Sequence, residues 1–100
     1  MFYIYIIYSE TFDKYYIGQT DNCERRLIEH NTSKHTTFTS KYRPWVLAAY
    51  FEVGNDRGIA RKIENKLKSL KSREIISKLV KHSEDSLFLA QLVRVPTGRD

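Results

Sequence analysis

The chain reads as a small α+β fold, an α/β sandwich with a three-stranded, mainly antiparallel sheet in the chain order β-β-α-β-α-α. Three observations predict it. Phe2–Tyr8 and Trp45–Val53 are β-branched, aromatic and apolar runs without a breaker, and strands of that kind need cover on both faces of their sheet. Downstream of each strand region, apolar residues recur at helical spacing: Cys23 and Leu27, then Ile59, Ala60, Ile63, Leu67 and Leu70, then Ile75, Ile76 and Leu79. Finally, five of the seven tyrosines fall within the first sixteen residues, which concentrates phenols on one piece of sheet.

Taken in order, Phe2–Tyr8 is a strand buried on both faces, Ser9–Lys14 is polar turn material, and Tyr15–Gly18 is the return strand of a hairpin. The loop is too long to set the register, so the relative facing of Tyr5 and Tyr16 stays open. Asp21 and Asn22 are good N-cap residues for a first helix over Cys23–Asn31. At 100° per residue, Arg26 and His30 lie about 40° apart on that helix, beside its apolar stripe. Thr32–Arg43 is a polar loop closed by Pro44. Trp45–Val53, apolar on both faces, is expected at the centre of the sheet. Gly54-Asn55-Asp56 turns and caps a second helix on which Glu64 sits at the margin of the buried stripe, and Ser72 caps a third helix to about Val80.

One hundred residues make one domain that buries roughly two-thirds of its unfolded surface. Nothing approaches the ~20 apolar residues of a membrane span, and Met1-Phe2-Tyr3-Ile4 lacks the basic lead of a signal peptide, so no membrane association and a cytoplasmic address are expected. A single cysteine, Cys23, leaves no intramolecular disulfide and no multi-cysteine metal site. The net charge of +5 and pI near 9.4 come largely from a second half carrying Lys62, Lys66, Lys68, Lys71, Arg73 and other cations. Such a cluster suits a polyanion, or equally a solvated helical face.

The order Tyr3-Ile4-Tyr5, then Tyr16-Ile17-Gly18 followed by Gln19-Thr20, then Arg26 with His30 one turn later, then Glu64 within Ala60–Lys66, resembles the GIY-YIG nuclease family. The likeness covers roughly residues 1–80 and is closest to small stand-alone members, which resemble the nuclease domain of the bacterial excision-repair subunit. Tyr3 stands where the family name has glycine, and no clear equivalent of an asparagine found in some members follows Glu64. The resemblance implies a metal-dependent endonuclease that cuts DNA by a one-metal mechanism. Tyr5 would be the base candidate, Tyr16 would position phosphate or water, Arg26 would contact the phosphate, His30 would assist, and Glu64 would hold Mg²⁺ or Mn²⁺.

Each role has a physical reason and a plainer competitor. A carboxylate plus waters holds a hard divalent ion, but Glu64 also stands four residues from Lys68 as an i,i+4 partner worth only a few tenths of a kcal/mol. Arg26 offers a planar fork of donors to phosphate oxygens, or a salt bridge to Glu29. His30 can orient water or a phenol or act as an acid, or be structural. A phenol with a pKa near 10 is a poor base unless Arg26 and a metal stabilise the phenolate; otherwise Tyr5 and Tyr16 are core tyrosines. Gly18 serves close backbone approach or the strand exit, and with Lys62, Lys66 and Lys71 makes the expected nucleic-acid contacts. Tyr5, Tyr16, Arg26, His30 and Glu64 are expected to converge on one concave surface.

A non-catalytic nucleic-acid-binding module with a tyrosine-rich stacking sheet competes with the enzyme reading. Glu64 discriminates, because a carboxylate among lysines repels phosphate unless it holds a cation. A protein partner supplying specificity is a further expectation. Residues 1–82 form the expected domain and 83–100 a tail. Within it, Leu89-Ala90-Gln91-Leu92-Val93-Arg94 matches a transfer-RNA D-arm sequence translated in frame. Two readings of that tail stand side by side, unselected or disordered sequence and a genuine amphipathic segment.

Overall fold

In the computed structural model, which describes residues 1–83, the sheet is built around its first strand. β1 (Tyr3–Ser9) pairs antiparallel with β2 (Lys14–Thr20) in an unbroken register from Tyr3↔Thr20 to Ser9↔Lys14. β3 (Val46–Glu52) pairs antiparallel with the other edge of β1, and a bulge between Ile6↔Ala49 and Ile7↔Leu47 leaves Ala48 as the extra residue. The sheet order is therefore β2-β1-β3.

This order corrects the expectation that the third strand lies at the centre. An apolar run implies burial of both faces, but helices cover both faces of so small a sheet, and an edge strand there is apolar too. Val46 is exposed and Leu47, Ala48 and Tyr50 are only half-buried, whereas Ile4, Ile6 and Ile7 of β1 are fully buried. The central strand is the one with no exposed face and no free edge.

Alternation along β1 divides the core. Ile4 and Ile6, with Ile17, Ala49 and Phe51, pack on Ala60, Ile63, Leu67 and Leu79. These last come from α2 (Arg57–Leu70) and α3 (Arg73–Lys81). Tyr5 and Ile7 point the other way and pack with Trp45, Tyr16 and Leu27, the last from α1 (Cys23–Thr32).

Caps place the helices where sequence reading put them. The Asn22 side chain accepts from Arg25 N at 3.0 Å, the Asp56 carboxylate accepts from Gly58 N at 2.8 Å, and Ser72 Oγ accepts from Ile75 N at 3.2 Å. α2 stops at Lys71, whose φ of 48° is left-handed. The polar loop after α1 holds a short 3₁₀ turn, Thr39–Tyr42, that hydrophobic periodicity does not announce. The hairpin tip is tied down by α3: Arg73 donates to the Asp13 carboxylate and, at 2.9 Å, to its carbonyl, while Tyr8 Oη donates to the same carboxylate at 2.7 Å. Among the described residues no helix is long and apolar enough to cross a membrane. The tail readings lie outside the described residues.

Candidate active site

Tyr5 lies at the centre of the site because β1 is central and Tyr5 faces α1. Its ring lies across the neighbouring strand at Gly18, its register partner. A β-carbon built on Gly18 would stand 2.3 Å from Tyr5 Oη and 2.5 Å from Cζ. Gly18 therefore serves close approach, and what approaches is the phenol of Tyr5. The register also answers the question the hairpin loop left open: Tyr16 pairs with Ile7, so Tyr5 and Tyr16 share a face.

The Tyr5 hydroxyl lies 2.7 Å from His30 Nε2, and His30 Nδ1 lies 2.8 Å from Thr39 Oγ1. Thr39 Oγ1 is in turn 3.2 Å from Thr37 Oγ1 at the surface. His30 is buried, and burial together with the Arg26 charge pushes its pKa down to about 4, so its ring is neutral at neutral pH. A neutral imidazole has one donor and one acceptor nitrogen, and the hydroxyls on either side can complement either tautomer. With Tyr5 donating to Nε2, Nδ1–H donates to Thr39. With the order reversed, Nε2–H donates to the Tyr5 oxygen and Thr39 donates to Nδ1.

The elements around His30 are held by backbone contacts. Arg43 Nε donates to the His30 carbonyl and its Nη2 to the Ser33 carbonyl, both at 2.6 Å. Asn31 spans to Trp45, accepting from its N–H at 2.7 Å and donating to its carbonyl at 3.0 Å. Trp45 Nε1 donates to the Thr39 carbonyl at 2.7 Å, which fixes the hydroxyl beneath His30. At the start of α1, Thr20 Oγ1 accepts from Asn22 N at 3.1 Å, so the glycine strand runs directly into the helix that carries Arg26 and His30.

Burial raises the Tyr5 hydroxyl to about 12, and the charge and hydrogen bond of Arg26, pulling the other way, do not offset it. Arg26 itself is shared with Glu29, Nη1 to Oε1 at 3.0 Å, the competing contact its sequence position allowed. The Tyr16 ring meets His30 edge-on, with centroids 5.3 Å apart.

Glu64 reaches this cluster around the β2 edge of the sheet. Its helix covers the face opposite Tyr5, but Lys68 Nζ bonds Glu64 Oε2 at 2.8 Å and stands 5.0 Å from the centre of the Tyr16 ring. Glu64 is close enough for its charge to raise Tyr5. The i,i+4 pair is thus formed, and its carboxylate is only 18% exposed. Tyr5, Tyr16, Arg26 and His30 form one group, which Glu64 joins through Lys68. Lys71 lines the surface beside Tyr16. Lys62 and Lys66 are exposed, about 160° from Glu64 around α2, and stand apart from the group.

Sequence reading missed Thr39. It sits in a Thr- and Ser-rich loop where nothing distinguishes it from its neighbours, and only the fold brings it under His30. It also missed that Gln19, next to the motif glycine, buries an Oε1 without a hydrogen-bond partner among the described residues. Gln19 lines a polar depression of about 260 Å³ with Arg25, Arg26 and Arg57.

Residues 1–78 match the GIY-YIG catalytic domain. No curated protein and no solved structure matches the chain significantly. With a match over more than three-quarters of its length and both tyrosine motifs on adjacent strands of one sheet, this chain belongs to the GIY-YIG family of nuclease domains.

Proposed function

We propose that the protein is a divalent-metal-dependent endonuclease that hydrolyses DNA phosphodiesters, with Tyr5 as general base and Glu64 as the protein ligand of a single metal ion. The observation that carries the reading is the buried line Tyr5–His30–Thr39, with its two hydrogen bonds of 2.7 and 2.8 Å, its phenol end within the fields of Arg26 and Glu64.

The donor set fits a hard ion. Among the described residues there is no cluster of three or more His, Cys, Asp or Glu, which argues against a zinc-type site. One carboxylate oxygen donor suits Mg²⁺ or Mn²⁺, which keeps several waters and takes substrate phosphate oxygens as further ligands. Glu64 would hold the ion, and the ion supplies positive charge beside the crowded phosphate and favours ionisation of nearby hydroxyls.

The remaining work falls to the chain. Burial pushes the Tyr5 hydroxyl up to about 12 and His30 down to about 4, so both shifts disfavour a standing phenolate–imidazolium pair. Instead His30 holds the phenol in place while neutral. When Tyr5 ionises, the reversed tautomer lets Nε2–H stabilise the phenolate, with the displaced proton passed along Thr39 and Thr37 towards solvent. The phenolate then takes a proton from water as the water oxygen attacks phosphorus, and the bond to the leaving oxygen breaks as that oxygen takes up a proton from solvent, balancing the one released. Arg26 stabilises charge on the phosphate oxygens, and Tyr16 orients the phosphate or the water.

The competing reading, a binding module without cleavage, gives no use to this buried polar line or to a carboxylate facing phosphate. A cleavage assay on duplex, nicked, flapped and branched DNA with Mg²⁺ or Mn²⁺ tests the proposal, with Tyr5→Phe as control. Metal-dependent cutting that is lost in Tyr5→Phe supports it; cutting undiminished in Tyr5→Phe refutes the tyrosine base.

A further inference from the structure

Beside the site lies a second set of aromatic rings that the cleavage chemistry does not use. Phe38 stacks near-parallel on Tyr16, with centroids 5.9 Å apart and planes 27° apart. Tyr42 follows at 5.0 Å from Phe38, and Phe12 at 5.3 Å from Tyr42. Phe38 is 50% exposed and Phe12 46%, so these rings are not core residues that happen to reach the surface. Cations alternate with them: Lys68 stands 5.0 Å from the centre of Tyr16, Lys14 4.9 Å from Tyr42, and Arg73 5.2 Å from Tyr15.

Two adjoining depressions, of about 360 and about 300 Å³, share Tyr15, Phe38, Lys71 and Ile76. One opens to Tyr16 and Lys68, the other to Lys14 and Arg73. They form a single groove leading from the site past Phe38 to the hairpin tip, with room for one small ligand in each half. Asp13, the one carboxylate in its lining, is held by Arg73. Lys71 has no carboxylate partner among the described residues. Lys68 is paired with Glu64, so the groove is aromatic and draws its net positive charge from Lys14 and Lys71.

We propose that this groove takes an unpaired nucleotide of the DNA strand beside the scissile phosphate, its base stacked on Phe38 and its backbone along Lys68, Lys71 and Lys14. Aromatic faces interleaved with cations suit single strands, because every base has a π-face and every nucleotide a phosphate. A base within a duplex has both faces already stacked and cannot reach Phe38 unless extruded. The substrate class that follows is DNA with a single-stranded flap or gap at the cleavage position. The inference rests on nucleic acid being the ligand, as proposed above, but not on cleavage.

The test is fluorescence anisotropy with the full chain in EDTA, so that nothing is cut, on labelled perfect duplex and on 5′- and 3′-flapped duplexes. The chain should bind the better flap about tenfold more tightly than duplex. Phe38→Ala should lose that preference while binding duplex unchanged and melting as the parent does, and Phe38→Trp should keep it. A flap with abasic sites at its first unpaired positions should bind the parent as weakly as the intact flap binds Phe38→Ala, with no further loss when the two are combined. Equal affinity for flap and duplex, an undiminished preference in Phe38→Ala, or full affinity for the abasic flap overturns the proposal. The abasic arm needs no variant and stands even if Phe38→Ala folds poorly. Flap preference without cleavage in any metal would leave the groove standing and remove the nuclease reading; cleavage without flap preference would do the reverse.

Discussion

Replacing Gly18 with alanine places a methyl carbon 2.3 Å from Tyr5 Oη and within 2.8 Å of two ring carbons. Ordinary contact needs about 3.4 Å or more, so the ring must move by roughly an ångström or β2 must shift. Tyr5 is almost fully buried and held by His30 at 2.7 Å, so it has little room to give. Overpacking of this kind costs about 1–3 kcal/mol, and parting the buried phenol from His30 adds about 1–3 kcal/mol. Gly18→Ala should therefore lose about 2–6 kcal/mol in urea denaturation and lose cleavage with it. A second substitution separates the steric cause from a backbone one. Gly18→Ala combined with Tyr5→Ala should be less destabilised than the sum of the two, because the small side chain leaves room for the methyl. Native stability and activity in Gly18→Ala would refute the close approach, and strict additivity would place the cost in the backbone.

The remaining predictions concern His30, its supporting hydroxyl and the cations. Below pH 6.5 the unfolded chain takes up a proton on His30 that the folded chain refuses until about pH 4. Stability should thus fall by about 3 kcal/mol as the pH drops through that window. Denaturation of the parent and of His30→Gln across pH 4–7 checks this, and an equal acid loss in both would assign it to other groups. Thr39→Val keeps the shape but leaves His30 Nδ1 without its partner at 2.8 Å. It should cost about 1–3 kcal/mol and reduce the cleavage rate more than DNA binding, measured under single-turnover conditions. DNA affinity should weaken steeply with salt, because lysines on α2 neutralise phosphates rather than read bases. Lys71→Ala should lower the salt slope by about one, and an affinity flat across salt would point to a protein partner instead.

What could be read from the chain divides by physical cause. The helices were legible to within a residue or two because Asn22, Asp56 and Ser72 carry their own caps, a local signal. Strand identity was legible from apolar runs, but strand position was not. β3 and β1 look alike in composition, and only pairing decides which has a free edge. The connection of Tyr5 with Arg26 and His30 was anticipated from the resemblance. Its physical basis, a ring crossing Gly18 to meet a neutral histidine backed by Thr39, depends on register and on a loop with no periodicity. The route of Glu64 around β2 was invisible for the same reason, since helical spacing reports the margin of a stripe and not what lies beyond the sheet edge. Phe12 and Phe38 sit in turn and loop segments, where an isolated ring carries no pattern until the fold lines it up with Tyr16 and Tyr42.

Glu64 tests the central claim most directly. Its carboxylate is largely buried and bonds Lys68 at 2.8 Å, which in turn stands over the Tyr16 ring, so Glu64→Gln keeps the shape and removes only the charge. The measurement is the single-turnover cleavage rate of purified Glu64→Gln in saturating Mg²⁺ or Mn²⁺, alongside its melting curve and its DNA affinity in EDTA. The account predicts that cleavage is abolished, the fold is retained to within about 1 kcal/mol, and DNA binds equally or more tightly because a negative charge facing phosphate has gone. A Glu64→Gln protein that cuts DNA at the parent rate would contradict it and leave Glu64 as the surface partner of Lys68.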